Sequence, residues 1–232
     1  MNIKTLTALS TVATLSTSSA AVLLVSGEFA NTAAELSATV SALDLANGIT
    51  DANGLSEVRA GGNGALNEIT DGLNATGTGF GNGGVNAANN PGSLSFLIDL
   101  GSSEAIGIVN IFSNGSAAGN VRQNQSFTLF GSNDPSSVVS DSSTFTSLIT
   151  VNTLTDPSIT GPEAGNVFGL TSVDLEGAEF QFLLLEAEAV GAAGGGESSL
   201  FSEIDVFQQI PEPSSVALLG LGSLAMAFRR RR

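Results

Sequence analysis

Phe180-Gln181-Phe182-Leu183-Leu184 places apolar residues at 180, 182 and 184 with Leu183 between them, which reads as a strand buried on one face and partly on the other. The surrounding stretch, Glu179 to Val190, continues that pattern. Working outward, Phe96–Leu100, Ala105–Ser113, Ser126–Ser132, Phe145–Asn152, Val167–Leu175 and Ser202–Gln208 are also rich in Phe, Ile, Leu and Val, and turn residues separate them. Strands at this spacing, with no convincing amphipathic helix, predict an all-β sandwich. Asn47 to Gly92 holds most of the Asn and Gly, including Gly61-Gly62-Asn63-Gly64 and Gly79-Phe80-Gly81-Asn82-Gly83-Gly84. Such residues tolerate positive φ, so this region reads as a long loop of the same domain.

Both chain ends read as sorting segments. Lys4 is a one-charge n-region, Leu6 to Val25 is small and apolar, and Ala20, Ala30, Ala33 and Ala34 offer small-residue cleavage positions. A signal peptide over 1–34 is expected, cut between Ala20 and Ala34. At the other end Pro211-Glu212-Pro213 precedes the uncharged stretch Ser214 to Phe228, and Arg229, Arg230, Arg231 and Arg232 follow it. At about 1.5 Å per residue the apolar stretch reaches roughly 22 Å, short of a hydrocarbon core of about 30 Å. The arginines extend it by snorkelling and mark the cytoplasmic side, so the body is expected outside. The two prolines keep the preceding segment extended and accessible.

This order of motif, transmembrane helix and basic cluster over Pro211 to Arg232 closely resembles the PEP-CTERM sorting signal. The resemblance implies processing by a membrane protease of the exosortase group, found in Gram-negative bacteria that make extracellular polysaccharide. It implies a transient stay in the membrane through the 214–228 helix, then a secreted or cell-surface mature form. An uncut C-terminal anchor is the simpler alternative.

Between the ends, the domain Glu35 to Ile210 is strongly acidic. Of 22 acidic residues only Glu28 and Glu212 fall outside it, while of seven basic residues only Arg59 and Arg122 fall inside. Such a surface repels phosphate backbones, which excludes nucleic acid as a partner, and attracts divalent cations. Cys, His, Tyr and Trp are absent. Disulfide staples, a Ser-His-Asp or Cys-His apparatus and an imidazole zinc site are therefore excluded. Glu186 and Glu188 are the nearest thing to a glycosidase pair, but two residues apart on a strand they share a face that reads as solvated. No enzymatic activity is expected.

Three segments carry a second resemblance. Ile69-Thr70-Asp71-Gly72, with Asn74 and Thr76 beyond, is similar to the opening loop of the discoidin, or F5/8 type C, group of galactose-binding-like jelly rolls. Phe96-Leu97-Ile98-Asp99-Leu100-Gly101, Ile106 to Phe112, Arg122 and Ser126 to Asp134 resemble its central pattern. Phe180 to Glu188, a glycine loop and Ser202-Glu203-Ile204-Asp205-Val206-Phe207 resemble its closing strands. Together they cover about 67–208. The resemblance implies a jelly-roll β-sandwich whose first and last segments meet, often around a structural calcium ion. Asp71, Asn74 or Thr76, loop carbonyls and Glu203 would then be its oxygen ligands, a donor set that suits a hard cation. The plainer alternative makes Asp71-Gly72 a turn and Glu203 a solvated strand residue.

Two further residues invite a ligand role. Arg122 is either a ligand contact or the partner of an acid such as Asp99 or Asp134. Phe80, flanked by glycines, either stacks on a sugar ring or tucks under its loop. Relatives of this sandwich commonly bind carbohydrate, so extracellular polysaccharide is the expected partner. The alternative is a non-binding, calcium-stabilised structural component of matrix or envelope, favoured by the missing Trp and Tyr.

Overall fold

The computed structural model describes residues 24–30, 44–59, 66–72, 85–86, 94–114, 124–155, 168–187 and 200–210. Eight strands run through them: β1 (Leu24–Ala30), β2 (Leu55–Arg59), β3 (Val85–Asn86), β4 (Leu94–Asn114), β5 (Ser126–Ser132), β6 (Thr146–Asn152), β7 (Phe168–Ala187) and β8 (Leu200–Gln208). All strand pairs are antiparallel.

Two long strands determine the architecture. β4 and β7 pair along their lengths, Leu94 opposite Ala187 at one end and Asn114 opposite Phe168 at the other, with register shifts between Asp99 and Glu104 and between Ile106 and Ile108. Gly101 at φ +79°, with Glu176 at φ 51° and Gly177 at φ +80°, lets both strands bend at this middle. The halves thus belong to different leaves. Residues 94–99 and 182–187 lie in a leaf ordered β2-β4-β7-β5-β6. Residues 106–114 and 168–174 lie in a leaf ordered β3-β8-β4-β7-β1.

The core lies between the leaves. Alternation sends Phe96, Ile98, Phe127, Leu129, Leu183 and Leu185 inward from the first leaf, and Val109, Ile111, Val173, Phe201, Ile204 and Val206 from the second, into one cluster. Phe96 meets Phe201 edge-on across it, with ring centroids 6.2 Å apart at 76°. On the outer face of the first leaf, Leu97, Phe182 and Leu184 form a second cluster with Phe130, Val139 and Phe145. The 133–145 segment covers it, pinned where Ser132 Oγ donates to the Thr144 carbonyl at 2.8 Å and Ser137 Oγ to Ser132 Oγ at 2.9 Å. That cover explains why Phe182-Leu183-Leu184-Leu185 is apolar without alternation. Both faces are buried.

The molecule is a jelly-roll β-sandwich, as the sequence predicts, with three differences in detail. The segments 96–100 and 105–113 form the single strand β4, and 167–175 and 179–190 the single strand β7, because their intervening turn residues bend the chain between leaves without ending it. The region 47–92 is not all loop, since it contains β2 and β3. Leu24–Ala30, inside the stretch assigned to the leader, is paired with β7 over seven residues. The expected transmembrane helix at 214–228 lies outside the described residues, and among those described no helix is long and apolar enough to cross a membrane.

Phe96→Ala removes the side chain that bridges the leaves and is expected to cost about 3–5 kcal/mol. Phe145→Ala, at the half-buried outer cluster, is expected to cost clearly less. Urea unfolding of the two variants checks the order, and equal losses would contradict it.

Candidate functional site: the carboxylate closure

Two chain segments meet beside β8. The 44–50 segment docks first: Leu45 N donates to the Val206 carbonyl at 2.7 Å, and Asp44 Oδ1 accepts from Val206 N at 2.9 Å and Ala46 N at 3.0 Å. A side chain that accepts two backbone N–H groups closes a gap the ladder leaves open. The 66–72 segment, opened by a 3-10 turn over Leu66–Ile69, is fastened to the first. Gly48 N donates to the Thr70 carbonyl at 2.7 Å, and Thr70 Oγ1 donates to the Ile49 carbonyl at 2.6 Å. Ile69 and Thr70 are completely buried beneath these contacts.

Glu203 completes the closure. Its side chain is fully buried on β8, and Oε1 accepts from the buried Gly72 N at 3.0 Å. Gly72 adopts φ +75°, a conformation that favours glycine at this point of the sequence. Among the described residues Glu203 Oε2 is buried with no hydrogen-bond partner, as are Asp205 Oδ2 and Asp44 Oδ2. Asp71 stands at the solvent edge of this group and Asp205 follows Glu203 on the same strand face, so four acidic side chains adjoin one another.

Burial is the main cause that pushes Glu203 up to about 10, opposed by the Gly72 N–H and reinforced by the charges of Asp205 and Asp71. Asp205 is pushed up to about 7, first by burial and then by the charge of Asp44. Asp44 is raised by burial against the pull of its backbone donors. A proton on Glu203 can be shared with Asp71 or with Asp205, and such sharing would hold the group together when no cation does. An orphaned buried oxygen beside a solvent-edge carboxylate also fits a hard cation, which would replace that proton. Among the described residues no three acidic side chains are arranged to hold an ion by themselves. A cation here would need donors beyond Asp71 and Glu203.

The residues predicted from sequence therefore divide clearly. Asp71 and Glu203, 132 positions apart in the chain, are brought together. Asn74, Thr76, Phe80, Arg122, Pro211, Glu212, Pro213 and Arg229 to Arg232 lie outside the described residues, as does Glu188. Of the acids suggested as partners of Arg122, Asp99 Oδ1 accepts from Gly101 N at 2.8 Å and Gln181 Nε2 at 3.0 Å, and Asp134 Oδ1 from Ser136 N at 2.8 Å and Ser136 Oγ at 2.7 Å, bonds that leave a pairing with Arg122 untested. Glu203 is not the solvated strand residue of the plainer alternative. Asp44 and Asp205 were not read from sequence. The i, i+2 spacing of Glu203 and Asp205 was the available signal for one of them.

Comparison with known proteins bears on the tail and on the body separately. The family described as the PEP-CTERM protein-sorting motif matches residues 209–232. The chain ends in a PEP-CTERM sorting motif. The motif marks the protein for export and sorting to the cell surface or the extracellular space. No curated protein matches the chain. Among solved structures, the body is similar to the lectin domain of lectinolysin complexed with Lewis B antigen, at 15% identity over 74% of this chain and 100% of that one, TM-score 0.46. It is also similar to a Streptococcus pneumoniae fucose binding module, at 14% identity over 72% and 96%, TM-score 0.43. A third is chitosan-binding module 1 of a chitosanase/glucanase from a Paenibacillus species, at 17% identity over 71% and 98%, TM-score 0.44.

The raised carboxyls set the sign of the pH dependence. The folded protein keeps protons that the unfolded chain has lost, so without metal it loses stability as pH rises, from about 4 to 7 through Asp205 and from about 4.5 to 10 through Glu203. Glu203→Gln keeps an acceptor for Gly72 and cannot ionise. In chelator, its urea midpoint is expected to fall less between pH 6 and pH 9 than that of the parent, and parallel curves would refute this origin.

Proposed function

We propose that this protein is processed by an exosortase-type membrane protease at its C-terminal motif and acts outside the cell as a non-enzymatic, calcium-stabilised β-sandwich that binds extracellular carbohydrate. The observation that carries the reading is the closure between Gly72 and Glu203. It holds Gly72, after which the Gly-rich sequence runs on to Phe80, and the discoidin resemblance assigns calcium binding to Asp71 and Glu203 at this same point. In that reading Asp71, Glu203 and Asn74 or Thr76 hold the ion, whose role is to fasten the loop to β8 and to offset the entropy of ordering it. Phe80 supplies an apolar ring for a sugar face, and Arg122 is a candidate hydrogen-bond donor to its hydroxyls. A sorting motif associated with polysaccharide-producing bacteria makes an exported glycan the natural ligand.

The absence of Trp and Tyr favours a second reading. Under it the sandwich is an acidic building block of matrix or envelope, bridged by calcium and lacking a discrete pocket. A glycan array probed with the purified protein in calcium distinguishes the two. The first reading predicts saturable binding to a defined sugar, lowered at least tenfold by Phe80→Ala with the melting temperature unchanged. Absence of any glycan signal, together with calcium-dependent self-association, would replace it by the second.

A further inference from the structure

The exact extent of the leader is open from sequence, because Ala20, Ala30, Ala33 and Ala34 all present small residues. The fold discriminates among them. Leu24–Ala30 forms β1, paired with β7 from Leu24 opposite Asp174 to Ala30 opposite Phe168. Its side chains serve both faces of the second leaf. Phe29 packs against the main core, and Ala30, 5% exposed, belongs to an outer cluster with Phe112 and Phe168. Glu28 is exposed to solvent, as expected of a polar residue on a half-covered edge strand.

A cut after Ala33 or Ala34 would remove all of β1. The 168–174 half of β7 would lose its partner on that side, and Phe112 and Phe168 would lose part of their cover. A cut after Ala30 would do the same, and it would also set Glu28 three residues before the scissile bond, where a small uncharged residue is needed. Upstream, Ser18-Ser19-Ala20 and Ser19-Ala20-Ala21 both meet the small-x-small requirement. They follow an apolar region from about Leu6 to Ser16 that falls within the roughly 7–15 residues such regions span. They also leave the whole of β1 in the product.

We infer that the leader is cut at the Ala20–Ala21 pair and that the mature protein keeps Leu24–Ala30 as the edge strand of its second leaf. The apolar run Val22–Val25, which in sequence looks like a continuation of the leader, is then the entry to the domain.

The test is the N-terminal sequence and intact mass of the full chain after export through a bacterial secretion pathway. An N-terminus at Ala21 or Val22 is expected. Any other N-terminus, above all one between Asn31 and Glu35, or an uncut Met1, overturns the inference. A second comparison reads the structural half: protein beginning at Ala21 against protein beginning at Glu35. The shorter chain is expected to melt lower and to bind an apolar dye more strongly, and identical behaviour would show that β1 is dispensable and overturn its retention as the reason for the cut.

Discussion

A fully buried glutamate at the centre of the last strand constrains how the sandwich closes. Glu203 cannot keep its charge there without compensation, because removing a carboxylate from water costs several kcal/mol unless something neutralises it. Around it the described chain offers one backbone donor, Gly72 N, and further acids. Either a proton or a cation must balance the group. Whichever does so also ties the 66–72 segment to β8 and, through Thr70 and Asp44, the 44–50 segment to the same strand. Cysteine is absent from the sequence, so no disulfide can take over this role.

Much of the fold could be read from sequence wherever side-chain alternation was clean. β5 and β6 lie where the Phe, Leu and Ile pattern of 126–132 and 145–152 puts them, and β8 begins two residues before its expected start. β4 and β7 were legible as strands but not as continuous ones. Gly101 and Gly177 give the same local signal whether a chain turns back or bends from one leaf into the other, and only the pairing of β4 with β7 distinguishes the two. Leu55-Ser56-Glu57-Val58-Arg59 was obscured by its glycine-rich surroundings. Leu24–Ala30 was obscured by overlap with the leader, since a small apolar stretch satisfies both descriptions.

The site was legible in the same uneven way. Asp71 and Glu203 came from resemblance to a known pattern, and the structure brings them together. Asp205 carries only its i, i+2 spacing from Glu203, and Asp44 carries no sequence mark that separates a buried carboxylate from the solvated acids common in this chain. Their burial follows from tertiary placement: the 44–50 segment lies along β8, with Asp44 bridged to Phe207, and covers that edge.

The most direct measurement is native mass spectrometry of the purified mature protein before and after dialysis against calcium. One calcium ion per chain is expected, absent from Glu203→Gln. A chain that stays metal-free at millimolar calcium, with an unchanged melting temperature, would contradict it and leave the shared proton as the sole means of closing the sandwich.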